Sequence, residues 1–344
     1  MGCAHIGVLE VLSENGIPMD IIVGSSAGAA IGAFYAAGCM RDFKKLISNL
    51  SLWESLNFYA DPVFPTSGLL AGKRARTFIH DLVGDIHIED LALKYTAVTT
   101  DLLTGETVPI DSGELTDAVL ASISMPGIFK PVVHMDRLLT DGGVSDPLPL
   151  DILKSIGPDI TIACNLHSKM PARLNNSQRR SVINAQQSSA KDEDIPSWMI
   201  DRLMKVIQAQ NMFEGIKPLA NNIVKKINKS YSGTAKDIDL ASTIHERLSQ
   251  SKDKINSLIN KSFNRQERIR ALNIIEIMVI ATNIQQYQKN RLMLLYEQPD
   301  VLIEPDVGDI GSLEFTKGSS TIEEGRSKAF EALPKIERLL NKKR

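Results

Sequence analysis

The chain of 344 residues has little of what secreted, nucleic-acid-binding or membrane-spanning proteins need. Its three cysteines are too few for a disulfide framework, so we expect reduced, mostly buried thiols and a cytoplasmic location. A net charge of −2 gives no basis for binding nucleic acid. Outside residues 21–37, the longest apolar run is around residues 274–281, which is too short to cross a bilayer. The composition is that of an ordinary globular protein, with 43% hydrophobic and 23% charged residues.

The stretch DIIVGSSAGAAIGAFYAAG indicates a nucleophile elbow. An apolar, strand-like run over residues 21–23 leads into the turn, and a helix of small residues leads out of it. In such an elbow the central residue, Ser26, has a strained backbone that makes its Oγ project from the turn. Gly24 and Gly28 are expected to let strand and helix approach without a Cβ clash. The helix N-terminus adds N–H groups and a positive dipole end. The alternative is a glycine-rich turn without chemistry.

The position of Ser26 restricts the kind of serine hydrolase. Only 25 residues precede it, too few for the strands that come before the elbow of an α/β-hydrolase. The six histidines lie in no obvious catalytic loop, so a histidine triad is disfavoured. The stretch RLLTDGGVSDPLPL offers Asp141 instead, since a sufficiently desolvated carboxylate can take the serine proton directly. Gly142 and Gly143 would let the following backbone fold tightly against the elbow. Alone, such a tripeptide more often marks an ordinary turn.

Several blocks in this order resemble the patatin-like phospholipases, especially the bacterial ones. The blocks are GCAHIGVLEVL, IIVGSSAGAAIGAFYAAG, FPTSGLLAGKR, TTDLLTGETV, ASISMPGIFKPV, DGGVSDPLPL and PDVGDIGSLEF. The resemblance covers about residues 1–168 and 268–344. It implies a Ser–Asp dyad of Ser26 and Asp141, a three-layer α/β/α fold, and hydrolysis of lipid acyl esters without a metal or other cofactor.

The N-terminus departs from the family pattern. Family members begin with a strand and a loop of the form G-G-G-x-[RK]-G, of which Gly2 matches the last glycine. One further oxyanion donor is expected at the N–H of Ala27, directly after the nucleophile. We therefore expect a truncated start, with at least a hundredfold lower activity than a version carrying the loop. The rival hypothesis is a catalytically impaired lipid-binding or scaffold protein.

Alternating helical and strand-like segments predict an α/β fold with a mostly parallel central sheet. We expect a catalytic region over residues 1–168, a helical insertion over 169–267 and a helix–strand–helix completion over 268–344. The insertion is polar, with a disordered entry near 173–195 and two amphipathic patterns. Those patterns either form a cap on the core or meet a peripheral membrane surface. Gly38 predicts the end of the elbow helix, and Pro334 an interruption of the last helix.

Overall fold

The computed structural model describes residues 1–49, 70–170, 183, 274–308, 310 and 317–343. By its contacts the chain divides into one unit of Met1–Arg173 with Asn273–Arg344 and a second of Leu174–Leu272. The predicted insertion therefore lies almost wholly outside the described residues, and its helices, its disordered entry and its lipid-facing alternative stay predictions. None of the described helices is long and apolar enough to cross a membrane.

Helices and strands alternate through the first unit. In chain order they are α1 (Ala4–Glu14), β1 (Ile21–Ser25), α2 (Ala27–Ala36), α3 (Met40–Asn49), α4 (Lys73–Val83), β2 (Lys94–Asp101), β3 (Thr107–Ile110), α5 (Leu115–Ser122), β4 (Val132–His134), β5 (Arg137–Asp141), α6 (Leu150–Ser155), β6 (Ile162–Cys164), α7 (Ile274–Tyr296), β7 (Val301–Ile303) and α8 (Gly318–Lys343). Single-turn 3-10 helices lie at Ile88–Asp90 and Gly142–Val144.

The strands form a five-stranded sheet of β1 to β5 and a two-stranded sheet of β6 and β7. The predicted parallel arrangement holds for β1 with β2 and for β6 with β7. The pairs β2–β3, β2–β5 and β4–β5 are antiparallel instead. Short links explain two of them, since a connection of two to five residues can join only antiparallel neighbours. Residues 102–106 link β2 to β3, and Met135 and Asp136 link β4 to β5.

Helices cover both sheets, which gives the expected three-layer α/β/α arrangement. One core cluster joins α2, α4 and α5 to β2 and β5, with Tyr95 and Leu139 almost fully buried. A second cluster packs α1 and α8 against one face of β7 through Val301 and Ile303. Leu302 points to the opposite face, where it packs with residues of α6 and α7. The alternation along β7 is that of a strand buried on both faces.

Two sequence expectations about helices, one at Gly38 and one at Pro334, can be compared with the structure. Gly38 follows α2 with φ +74°, so the predicted left-handed residue after this helix is confirmed. The predicted interruption at Pro334 is wrong, because α8 continues through it to Lys343. Burial of Ala329, Leu333 and Ile336 on one face of α8 outweighs the single backbone hydrogen bond that proline removes.

Glycines set the distance between α1 and α8, the two helices of the chain ends. A Cβ at Gly7 would lie 2.0 Å from the carbonyl oxygen of Ile322, and one at Gly325 would lie 2.0 Å from that of Ala4. The two backbones are therefore in direct contact, and neither position has room for a methyl group.

We predict that Gly7→Ala lowers the free energy of unfolding by about 1–3 kcal/mol, because the helices must separate to admit the methyl group. Gly308→Ala is the control, since a Cβ there meets only atoms at 3.6 Å or beyond, without a positive φ. Urea unfolding of both variants measures the difference. Equal stability of the two variants would contradict the direct backbone contact.

Candidate active site

Strand β2 aligns the two segments that carry the predicted site residues. Ser25, the last residue of β1, pairs with Val98, and Asp141, the last residue of β5, pairs with Thr99. Strand β3 occupies the other edge of β2 over these same positions, so β1 and β5 lie end to end along one edge. Two consecutive residues of β2 thus bring the carboxyl ends of β1 and β5 together.

Ser26 has the strained backbone that the elbow pattern predicts. Its φ is 54° and its ψ is −119°, a region that L-residues rarely occupy. Its N–H donates to Ser122 Oγ at 2.9 Å, and Ser122 Oγ donates in turn to the carbonyl oxygen of Val98 at 2.6 Å. Ser122 therefore ties the turn to β2. Its role was not predicted, since nothing in the stretch ASISMPGIF distinguishes this serine from its neighbours.

Hydrogen bonds fix both the backbone and the carboxylate of Asp141. Its N–H donates to the carbonyl oxygen of Ser124 at 3.0 Å, and its carbonyl oxygen accepts from Thr100 Oγ1 at 2.9 Å. The Oδ1 atom accepts the N–H of Gly143 at 2.7 Å, and Oδ2 accepts the Ser26 hydroxyl at 2.6 Å. The residue is 2% exposed, and burial raises its pKa to about 6, although the two hydrogen bonds to the carboxylate oppose this.

A Cβ would collide with backbone atoms at two of the four motif glycines and with a flexible side chain at a third. A Cβ at Gly24 would lie 2.5 Å from Ala29 N, one at Gly142 would lie 2.1 Å from the oxygen of Val98, and one at Gly143 would overlap a side-chain amide. The expectation is wrong for Gly28, where the nearest atom to a Cβ is His5 Nε2 at 3.7 Å. The Cβ position of Gly28 faces His5 of α1, whereas its backbone lies against Gly24 of β1.

The two predicted oxyanion donors are neighbours. A Cβ at Gly2 would lie 2.7 Å from the Cβ of Ala27, so the chain start packs against the first residue of α2. The N–H of Ala27 belongs to the first turn of a helix, where backbone N–H groups have no partner within the helix. The arrangement leaves these N–H groups on the side of the helix end where Ser26 lies.

Helix α7 brings polar side chains that were not predicted. Asn283, Gln286 and Asn290 are buried although they belong to a mostly apolar helix, and their spacing puts them on one face. The Gln286 amide lies over Gly143, with Nε2 only 2.0 Å from where a Cβ would be. Asn290 Nδ2 donates to Asn165 Oδ1 at 2.8 Å. These polar residues recur at helical spacing within the apolar pattern of residues 274–296, and that recurrence could have identified the face from the sequence.

One histidine lies close to the elbow. His5 lies near Gly28 on the elbow helix, and a charge on His167 would lower the pKa of His5 further. Burial is the largest cause that lowers the pKa of each to about 4, so both imidazoles are neutral at pH 7. The bonded partner of the Ser26 hydroxyl is the Asp141 carboxylate.

Metal-binding clusters and disulfides are absent from the described residues. In the part of the chain that the structure describes, no three His, Cys, Asp or Glu side chains are arranged to hold a metal ion. The cysteines Cys3, Cys39 and Cys164 are free, and burial raises the pKa of each thiol.

Comparison with known proteins shows what residues 2–154 are similar to. The sequence model described as patatin-like phospholipase matches residues 2–154, which contain Ser26, Ser122, Asp141 and both glycines after Asp141. An uncharacterized NTE family protein of Mycobacterium tuberculosis is 40% identical over 174 residues, which are 50% of this chain and 48% of that protein.

Mammalian relatives match a similar part of the chain. Patatin-like phospholipase domain-containing protein 7 of Rattus norvegicus is 33% identical over 182 residues, 51% of this chain and 13% of that protein. Patatin-like phospholipase domain-containing protein 6 of Homo sapiens is 35% identical over 175 residues, 49% of this chain and 13% of that protein. The chain thus spans less than half the length of these curated relatives.

We predict that Ser122→Ala lowers the free energy of unfolding by about 1–3 kcal/mol, because the N–H of Ser26 and the carbonyl oxygen of Val98 both lose a hydrogen bond. Ser25→Ala is the matched control, since Ser25 Oγ is buried without a hydrogen-bond partner. We expect it to change stability by less than about 0.5 kcal/mol. Chemical denaturation compares the two, and an equal loss in both variants would contradict the role given to Ser122.

Proposed function

We propose that this chain, whose residues 2–154 match the patatin-like phospholipase family, hydrolyses acyl esters of lipids through a dyad of Ser26 and Asp141. The observation that carries the proposal is the 2.6 Å hydrogen bond from Ser26 Oγ to Asp141 Oδ2. It joins a hydroxyl on a strained turn to a buried carboxylate, the arrangement that direct proton transfer needs. The family name indicates lipid acyl esters as the substrate class, with phospholipids and long-chain lysophospholipids foremost.

Acylation begins with attack of Ser26 Oγ on the ester carbonyl carbon. The hydroxyl proton passes to Asp141 Oδ2, and the carbonyl oxygen becomes an oxyanion. When the tetrahedral intermediate collapses, the bond to the alcohol breaks, and Asp141 returns its proton to the departing oxygen. The products are a free alcohol, such as a lysophospholipid or glycerophosphodiester, and an acyl group on Ser26.

Deacylation repeats these steps with water. Asp141 takes a proton as the water oxygen attacks the acyl carbon, and the proton returns to Ser26 as the fatty acid leaves. A second alcohol in place of water would make the same intermediate the donor in a transacylation. The backbone N–H of Ala27 would stabilise the oxyanion, helped by the positive end of α2 and by the N–H groups near Gly2.

We predict that Ser26→Ala and Asp141→Asn each reduce hydrolysis of a short-chain p-nitrophenyl ester by at least about a thousandfold. The first removes the nucleophile, and the second leaves an amide that cannot accept the serine proton. Initial rates give the measurement, with circular dichroism as the check on folding.

Ser25→Ala is the control for this experiment, since Ser25 precedes the elbow position and its hydroxyl contacts no other polar group. We expect this variant to keep most of its turnover. Turnover of Ser26→Ala equal to that of the unmodified protein would overturn the assignment. Lipid binding without any hydrolysis by the unmodified protein would instead support the scaffold hypothesis.

The pKa of Asp141, raised to about 6, predicts the acid side of the pH–rate profile. A base must be deprotonated to accept a proton, so kcat/KM is expected to fall about tenfold per pH unit below pH 6. Above that pH the carboxylate is ionised and the rate levels off. Initial rates between pH 5 and pH 8 on a soluble ester test this.

Unfolding is the competing cause of acid inactivation, and the two buried histidines favour it. His5 and His167 have pKa values of about 4 in the folded chain against 6.5 ordinarily, so the unfolded chain binds protons first. Their contribution to stability is complete above pH 6.5 and is lost as the pH falls towards 4. An acid limb that coincides with loss of near-ultraviolet circular dichroism would contradict the assignment to Asp141.

A further inference from the structure

Two hairpin tips expose large apolar side chains at one end of the five-stranded sheet. The β2–β3 hairpin carries Leu102 and Leu103, which are 42% and 76% exposed. The β4–β5 hairpin carries Val133 and Met135, which are 76% and 78% exposed. None of the four has a packing reason to be apolar, since a side chain this exposed contributes little to a core.

The tips are neighbours and are rigidly held. The N–H of Leu102 donates to the carbonyl oxygen of Leu138 at 2.8 Å, which joins the first hairpin to the second. Arg137 Nη1 lies 3.4 Å from Asp101 Oδ2 and 3.2 Å from Glu106 Oε2, so one side chain bridges both hairpins. The four apolar side chains therefore belong to one ordered patch.

The turn of the second hairpin is strained. Met135 and Asp136 link β4 to β5 with φ values of 46° and 61°, a conformation in which asparagine and glycine are usual. The positive φ does not favour methionine, and the side chain of Met135 remains exposed in this turn. An unburied apolar residue on a strained turn needs a reason outside the folded chain.

The patch lies at the end of the sheet where the proposed dyad lies. Along β2, Val98 and Thr99 align the ends of β1 and β5, and Leu103 follows four residues after Thr99. At about 3.3 Å per residue, the tip is roughly 13 Å beyond the dyad along the strand direction.

Charge decides which kind of surface fits. The tips carry Asp101, Glu106 and Asp136 against the single cation of Arg137, which is already paired with two of these carboxylates. An anionic membrane would be repelled, and a polyanion would find no free cation among these four groups. A zwitterionic surface of lipid head groups carries no net charge that would repel these carboxylates.

We propose that residues 102–106 and 133–136, called here the hairpin-tip patch, dock the protein on the surface of a zwitterionic phospholipid bilayer. The inference rests on the proposed function, because a lipid ester substrate is what such docking would supply. Leucine, valine and methionine at rigid turns enter the boundary between head groups and acyl chains, and burial of their apolar area supplies the affinity.

The test is flotation of the protein with phosphatidylcholine vesicles. We expect the double variant Leu103→Ser/Met135→Ser to bind about tenfold or more weakly, because two apolar side chains no longer enter the bilayer. Its turnover of a soluble nitrophenyl ester should be unchanged, since neither residue belongs to the dyad. Leu295→Ser is the matched control, a leucine on α7 with 71% exposure, and is expected to bind as the unmodified protein does.

Each other outcome overturns the inference. Unchanged flotation of the double variant, or equal loss in Leu295→Ser, would show that the patch is not the docking site. No flotation of the unmodified protein, or flotation that needs anionic lipid and is abolished by salt, would exclude a zwitterionic surface. A shift from dimer to monomer in the double variant, measured by sedimentation, would make the patch a contact between copies. Flotation of Ser26→Ala separates the two proposals, since docking does not require the nucleophile.

Discussion

The structure around the candidate site depends on the way β2 holds the ends of two other strands. Residues 98 and 99 of β2 pair with the last residues of β1 and β5, which approach from opposite directions. A hydroxyl and a carboxylate separated by 115 residues in sequence thereby meet at 2.6 Å. Gly142 makes the approach possible, because any side chain there would collide with the carbonyl oxygen of Val98. The hydroxyl and the carboxylate meet only because β1 pairs with β2 in parallel and β5 pairs with β2 in antiparallel orientation.

The same pairing explains the electrostatics of the carboxylate. Asp141 ends a buried strand, so its side chain is taken out of water, and this raises the pKa. Hydrogen bonds from Ser26 and from the N–H of Gly143 offset part of that cost. The result is a group that is ionised at neutral pH and still basic enough to accept a proton. Gln286 of α7 closes the other side of Gly143, so a helix near the C-terminal end also shapes the surroundings of the proposed base.

Strong local patterns predicted much of the fold. The alternation of apolar strands with helices gave the α/β class. The strand-like runs YTAVTTDL and DVLIEPDV cover all but the first residue of β2 and the whole of β7. The turn at Ser26 was predictable because glycines, small residues and a strand-to-helix change coincide there. Pro334 was misread, since the missing hydrogen bond of proline is a local effect, whereas burial of the α8 face depends on the partner helix α1. The antiparallel pairs β2–β3, β2–β5 and β4–β5 were not specified by the sequence pattern, because strand direction depends on link lengths around the whole sheet.

The sequence by itself determined the strained turn at Ser26, the tight turn after Asp141 and the helix end at Gly38, since each rests on backbone preferences within a few residues. Only the tertiary structure decided that Ser122 holds the elbow, that Gln286 covers Gly143 and that Gly28 has room for a side chain. It also decided that Leu103 and Met135 share one exposed patch. These are contacts between segments far apart in sequence, and their geometry depends on how strands pair and helices pack, which no local pattern specifies.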